Sequence, residues 1–392
     1  MSGKRKTALT AVALACVFCG CIGPHLFIPV IVTTAIFPVM TDFGARDRVV
    51  RVVVAADAPF RDDVLWKKNA ETLVSEASRE FSSWINVRFE IDRFVEVDLS
   101  TLSCGGRSEI ECLRSAVPRE GCDLVVLLTR VRSREEFVDA GLPLVDKGYI
   151  VVRQPGWPGV REPFKLAYHA LLHELGHQFG ALHVFRPASG GRYVMEAQPR
   201  GEPLEDAGGG DYTVPDASFH PGNAAIMRAL SGRPFDRIEP DTARWSALAR
   251  VYRTETARYT RSKITRSWEL DGYAADEFYP DEMYYALAGW ASLFGLADTA
   301  AAYVDSALHL TRIVDNTCSR NALWNRAALC DIVSRYGGNG FETVMALGRY
   351  RKACIWRDAG RQFEAQREIA AFGREGEGNA ALKRLFDEFM SQ

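Results

Sequence analysis

The sequence has no excess charge of either sign: 48 lysines and arginines stand against 50 aspartates and glutamates in 392 residues, a formal net charge of -2. The basic residues are interleaved with acidic ones and build no dense stripe, which argues against a nucleic acid or other polyanion as partner. Histidine is scarce, with 7 in the whole chain. Strand signals disappear after about residue 238, which confines any sheet to the first part of the chain. A chain of this length can nevertheless bury an ample core in two domains without covalent staples.

Cysteine is modest. Three of the 9, Cys16, Cys19 and Cys21, belong to the N-terminal segment, leaving Cys104, Cys112, Cys122, Cys318, Cys330 and Cys354. Outside the cytosol these six permit about 15 pairings, among which sequence does not choose. Cys104 and Cys112 are close enough to bridge locally, and reduced buried cysteines are an equal alternative.

Long apolar runs occur at the N-terminus. Lys4, Arg5 and Lys6 precede an apolar stretch over 7–22, the pattern of an export signal. A second apolar stretch follows over 25–40, interrupted by Pro29 and Pro38. As one helix, 7–40 would measure about 50 Å against a hydrocarbon core of about 30 Å, too long for a single straight span, and Pro24 stands at its midpoint. Residues 1–46 are therefore expected to be a signal or membrane-anchoring segment: cleaved, lipidated at Cys21, or kept as an anchor. Phe18 and Cys19 depart from a lipobox. The positive residues come first, which places the following domain on the extracytoplasmic side.

Three of the histidines fall together. His173, Glu174, His177, Gly180 and His183 form the pattern H-E-x-x-H-x-x-G-x-x-H. The spacing predicts a helix on which His173 and His177, four residues apart, share a face and reach one tetrahedral cation, with Glu174 beside them. Gly180, lacking a Cβ, can turn left-handed and end the helix, bringing His183 to the metal from another direction. Three protein ligands leave a fourth position open, as in catalytic zinc sites; a water there has its pKa lowered to about 7, and Glu174 can take its proton.

This pattern resembles, at all five defining positions, the extended motif of the metzincin clan of zinc endopeptidases. The resemblance implies one catalytic Zn2+ held by His173, His177 and His183, with Glu174 as general base. It also implies a methionine turn beneath the metal. Met195, in a short turn-like stretch, is the expected residue, and Met227, in a segment that reads as helix, is the alternative. Some relatives carry a tyrosine two residues after this methionine; Ala197 stands here, and Tyr193 is the substitute to consider. No cysteine-switch motif is present, so control by a prodomain is not supported. Among the other histidines, His169 is expected to pack or face solvent, and His220, before Pro221, to cap a helix.

Periodicity predicts a Val-rich strand over 47–56 and a helix over 61–85 with Val64, Leu65, Leu73, Ala77, Phe81 and Trp84 at helical spacing. A strand over 86–99, a short helix over 110–116 and a buried strand over 122–131 follow. Two short strands at 141–145 and 149–153 then lead, through a turn-rich loop, to the motif helix over 163–180. In the fold that the resemblance implies, 141–145 is an antiparallel edge along which a peptide could add. The Gly/Asp-rich stretch 206–216 could bind calcium through its carboxylates, but a flexible loop beside the cleft is the favoured reading.

From 238 the pattern is helical. Tyr285, Ala288, Gly295, Ala300 and Val304 recur 65 residues later as Tyr350, Ala353, Gly360, Ala365 and Ile369. Small residues where two helices cross and a glycine between them are similar to tetratricopeptide hairpins, with a degenerate unit around Trp324 between them; a plain helical bundle is the equal alternative.

The expected architecture is α+β: a metzincin-like catalytic domain over 47–237, a twisted mixed sheet with an active-site helix, followed by an all-α helical-repeat domain over 238–392. The expected function is zinc-dependent endopeptidase action on peptides or proteins outside the cytosol, with a protein partner possible through the helical repeats and the membrane contacted through 7–40. The competing readings are a tethered binding or assembly protein with a residual metal site, against which the intact Glu174 argues, and a zinc amidase acting on cell-wall peptides.

Overall fold

The structure, a computed structural model, describes residues 47–98, 109–131, 148–156, 163–184, 193–195, 218–235, 241–259, 280–317 and 340–391. All of them fall within one compact unit, Val39–Gln392. The N-terminal segment, the strand expected at 141–145, the Gly/Asp stretch and Trp324 lie outside the described residues. Among the described residues no helix is long and apolar enough to cross a membrane.

Four parallel strands make the sheet: β1 (Arg48–Ala56), β2 (Val87–Glu96), β3 (Leu124–Val131) and β4 (Tyr149–Pro155), in the order β2-β1-β3-β4. The central β1 reads as a near-continuous run of valines because both of its faces are covered, as parallel strands require. Val50, Val52 and Val54 enter the larger core, while Val53 and Ala55 enter a smaller one on the other face with Leu113, Val125 and Leu127. The mixed character expected of the sheet depended on the strand at 141–145; the described strands are all parallel.

The helices on the larger face are α2 (Trp66–Ile85) and the motif helix α4 (Pro163–Gln178), and α3 (Glu109–Ala116) covers the other face. Leu73, Ala77 and Phe81 of α2 are buried as the spacing predicts. Val64 and Leu65 are not: they are 92% and 56% exposed. The helix expected from 61 is interrupted, because Asp57 caps a separate short helix α1 (Ala58–Arg61) and Asp63 accepts the Leu65 N–H in the turn that follows. Local Asp side chains thus outcompete the apolar periodicity there. Cys112 is held in a disulfide, and Cys122 and Cys354 are in none.

After α5 (Pro221–Leu230) the chain is helical: α6 (Thr242–Tyr259), α7 (Pro280–Leu293), α8 (Ala297–Thr317), α9 (Gly340–Asp358), α10 (Gln362–Glu375) and α11 (Ala380–Ser391). The helices α7 and α8 form one hairpin and α9 and α10 another. Gly295 and Gly360 both have φ +75° at the turns. The capping bonds repeat with the same offset of 65: Leu296 N–H donates to the Ala291 carbonyl as Arg361 N–H donates to that of Trp356. Ala288, Ala300 and Val304, like Ala353, Ala365 and Ile369, are buried. One core cluster runs from Val50 in β1 to Phe389 in α11, so these helices and the sheet-bearing segment share buried surface.

Candidate metal centre

Helix α4 buries Ala167, Leu171, Leu172 and Leu175 against the sheet. That fixes its rotation, so His173 and His177 emerge on a different side, partly buried, with Glu174 next to them. The helix ends at Gly180, whose φ is +85°. The Gly180 N–H donates to the His177 carbonyl and the Ala181 N–H to that of Gly176, closing the end of the helix as a left-handed glycine allows. Space demands glycine here as much as conformation does. A Cβ would run into the Tyr252 hydroxyl and lie 2.5 Å from Leu230 Cδ1 and 3.2 Å from Trp290.

Beyond this turn, successive backbone groups each find a partner. Tyr252 donates to the Gly180 carbonyl at 2.7 Å and accepts from Trp290 Nε1 at 2.6 Å. The buried Asn223 side chain accepts the Leu182 N–H at 2.8 Å and donates to the Leu182 carbonyl at 2.7 Å. His183 N–H donates to Glu282 at 2.9 Å, and Val184 N–H to the Met195 carbonyl at 2.9 Å. The segment carrying the third histidine is therefore pinned from α5, α6, α7 and the Met195 turn.

The result is convergence. His173 Nε2 lies 3.0 Å from His183 Nε2, and His177 Nε2 lies 3.2 Å from each of the others. Among the described residues these three are the group of histidine, cysteine and acidic side chains that could hold a metal ion. Three ring nitrogens each about 2.0–2.1 Å from a tetrahedral zinc would stand roughly 3.3 Å apart, close to what is found. The opposite ring nitrogens are anchored: His173 Nδ1 to the Val194 carbonyl at 2.8 Å, His177 Nδ1 to the Ala181 carbonyl at 3.0 Å, and His183 Nδ1 to Glu282 Oε1 at 2.8 Å. The two carbonyls can accept the Nδ1 protons of His173 and His177, which turns the Nε2 lone pairs of those rings toward the cluster.

Electrostatics favours the same state. Burial pushes the His173 imidazole below the usual histidine range, and burial reinforced by the His183 and His173 rings holds His177 well below it. Both are thus kept neutral, the form that ligates a metal. Glu282 is buried at 6% exposure, and burial pushes its carboxyl up to about 8 despite the hydrogen bond from His183 N–H.

The other expected site residues are also located. Met195 is fully buried, and a Cβ on Gly176 would lie 2.6 Å from its sulfur, so the Met195 turn presses directly on the helix that bears His173 and His177. Val194 of that turn holds His173. Met227 is buried in α5 as part of the core. Tyr193 stacks edge-on against His220, ring centroids 5.1 Å apart, and His220 caps α5 by accepting the Gly222 N–H. Asn223, Tyr252, Trp290 and Glu282 had no expected role. In sequence, Tyr252 and Trp290 are helix residues of core type and Glu282 is one acid among 50 acidic residues.

No curated protein matches the chain at a significant level. Residues 46–212 match the model of metallo-peptidase family M12, a stretch that begins at β1 and contains α4, the three histidines and Met195. That match and the three-histidine cluster lie on the same segment, and together they support a zinc metallopeptidase, with His173, His177 and His183 the side chains able to hold the ion.

Proposed function

We propose that the protein is an exported, metzincin-type zinc endopeptidase. The observation that carries this reading is the meeting of three imidazoles whose Nε2 atoms lie 3.0–3.2 Å apart, two of them on a helix that also bears Glu174. Bound there, zinc supplies a Lewis acid for the scissile carbonyl and acidifies a water. The protein's own part is to hold His173, His177 and His183 in one tautomer, to accept the water's proton on Glu174, and to return a proton from Glu174 to the leaving amine. Met195 supports the ligand helix from below, and Gly180 turns the chain to His183. The substrate would lie extended along the strand expected at 141–145 and pair with it through main-chain hydrogen bonds.

Export is supported by Lys4, Arg5 and Lys6 ahead of the apolar stretch and by the disulfide at Cys112, which suits an oxidising compartment. Tethering through 7–40 follows from the same stretch. The matched hairpins at Gly295 and Gly360 support a tetratricopeptide-like reading of the C-terminal helices, with a protein partner as what such a surface would take.

The test compares the full chain with Glu174→Gln on a peptide library. Cleavage by the wild type, abolished in the variant while zinc remains bound, is the expected result. Equal cleavage by both would remove Glu174 from the mechanism, and bound zinc without cleavage by either would favour the binding or assembly reading.

A further inference from the structure

Glu282 lies 99 residues from His183, on the first helix after the 260–279 segment, yet its carboxylate grips that histidine twice. Oε2 accepts the backbone N–H at 2.9 Å, and Oε1 lies 2.8 Å from ring Nδ1 as an ion-pair contact outside hydrogen-bonding geometry. The two contacts restrain different things. The first holds the chain where it leaves the Gly180 turn; the second restrains the ring, whose Nε2 lies 3.0 and 3.2 Å from those of the other two histidines. His173 and His177 are oriented by carbonyls from the sheet-bearing segment, whereas His183 is oriented by a carboxylate from the C-terminal helices.

Burying a carboxylate at 6% exposure is costly unless it is compensated. Compensation comes from the same region. Arg351 of α9, equally buried, acts electrostatically on Glu282, and its guanidinium lies 4.1 Å from the centroid of Tyr285 on α7. A second link runs in parallel: Trp290 of α7 donates to Tyr252 of α6, which donates to the Gly180 carbonyl. Both links end on the short segment that carries the third ligand.

From this geometry we infer that Glu282 is the positioning residue for the third metal ligand and that the C-terminal helices are a working part of the metal centre, not an appended module. The inference rests on the zinc reading above. A carboxylate behind a ligating imidazole keeps the ring oriented, raises its basicity and offsets part of the charge of a dication; losing such a partner typically lowers metal affinity about 10–100-fold.

The experiment measures zinc affinity of the full chain by competition with a chromophoric chelator, for the wild type, Glu282→Gln and Glu282→Ala, together with urea unfolding of each metal-free protein. Glutamine keeps the shape but puts an amide N–H2 where one of the two N–H groups of His183 needs an acceptor. Zinc affinity is expected to fall about 10–100-fold in Glu282→Gln, with the metal-free unfolding midpoint held because glutamine keeps the shape of the side chain. The visible bands of the Co2+-loaded variant should also shift, a signature that a purely structural residue would not move. Zinc affinity within twofold of wild type in both variants, with lowered unfolding midpoints, overturns the inference and leaves the zinc reading standing. A wild-type chain that binds no zinc overturns both.

Discussion

Replacing Gly180 by alanine tests whether the turn between the second and third histidines is the strained pivot that its geometry implies. Two costs can be read from the structure. A φ of +85° is a left-handed conformation, which costs a residue with a Cβ about 1–2 kcal/mol. The added methyl must also displace the Tyr252 hydroxyl and Leu230, whose Cδ1 would lie 2.5 Å away, and crowding of a packed core costs about 1–3 kcal/mol. Together they predict that Gly180→Ala loses about 2–5 kcal/mol in urea unfolding of the metal-free protein. Zinc affinity should fall as well, because Ala181 and His183 are positioned from this turn. The double variant Gly180→Ala/Tyr252→Phe separates the two costs: removing the hydroxyl relieves part of the crowding but none of the left-handed strain, so the two changes should be non-additive. A loss below about 1 kcal/mol with unchanged zinc affinity would refute the reasoning.

Asn223→Ala should cost about 2–4 kcal/mol in the same unfolding assay, since it strands both the N–H and the carbonyl of Leu182 in a buried site, and zinc affinity should drop with it. Asp57→Asn tests a pH dependence. Burial raises the Asp57 carboxyl above 3.8 against the Thr129 hydroxyl and Phe60 N–H bonds, so the folded chain keeps this proton to higher pH than the unfolded one. The contribution of that group is fully present below pH 3.8 and is lost as pH rises through the folded value. Wild type should therefore lose stability relative to Asp57→Asn as pH rises above 3.8, read as diverging urea midpoints; a constant difference would contradict the shift.

How much of this site could be read from sequence depends on how far apart its parts lie. The three histidines and the glycine occupy eleven consecutive residues, where helical spacing puts the first two on one face and the glycine turn leads to the third. The glycines at 295 and 360 were legible for the same reason, since a left-handed turn between two helices has few other solutions. Partners at long range were not. Nothing distinguishes Glu282 from any other acid at the start of a helix until α7 is folded against the Gly180 turn, and Asn223 sits 41 residues from the backbone it pins. The misplacement of Val64 and Leu65 has a local cause. Asp57 and Asp63 bond to nearby N–H groups, and that short-range competition is invisible to a test of apolar period alone.

Zinc dependence is tested most directly by stripping the protein of metal with a chelator and titrating zinc back while following peptide hydrolysis. The stripped chain is expected to cleave nothing, recovery to saturate at one zinc per chain, and neither binding nor recovery to occur when His183 is replaced by alanine. Undiminished cleavage by the stripped protein, or full recovery in His183→Ala, would contradict it.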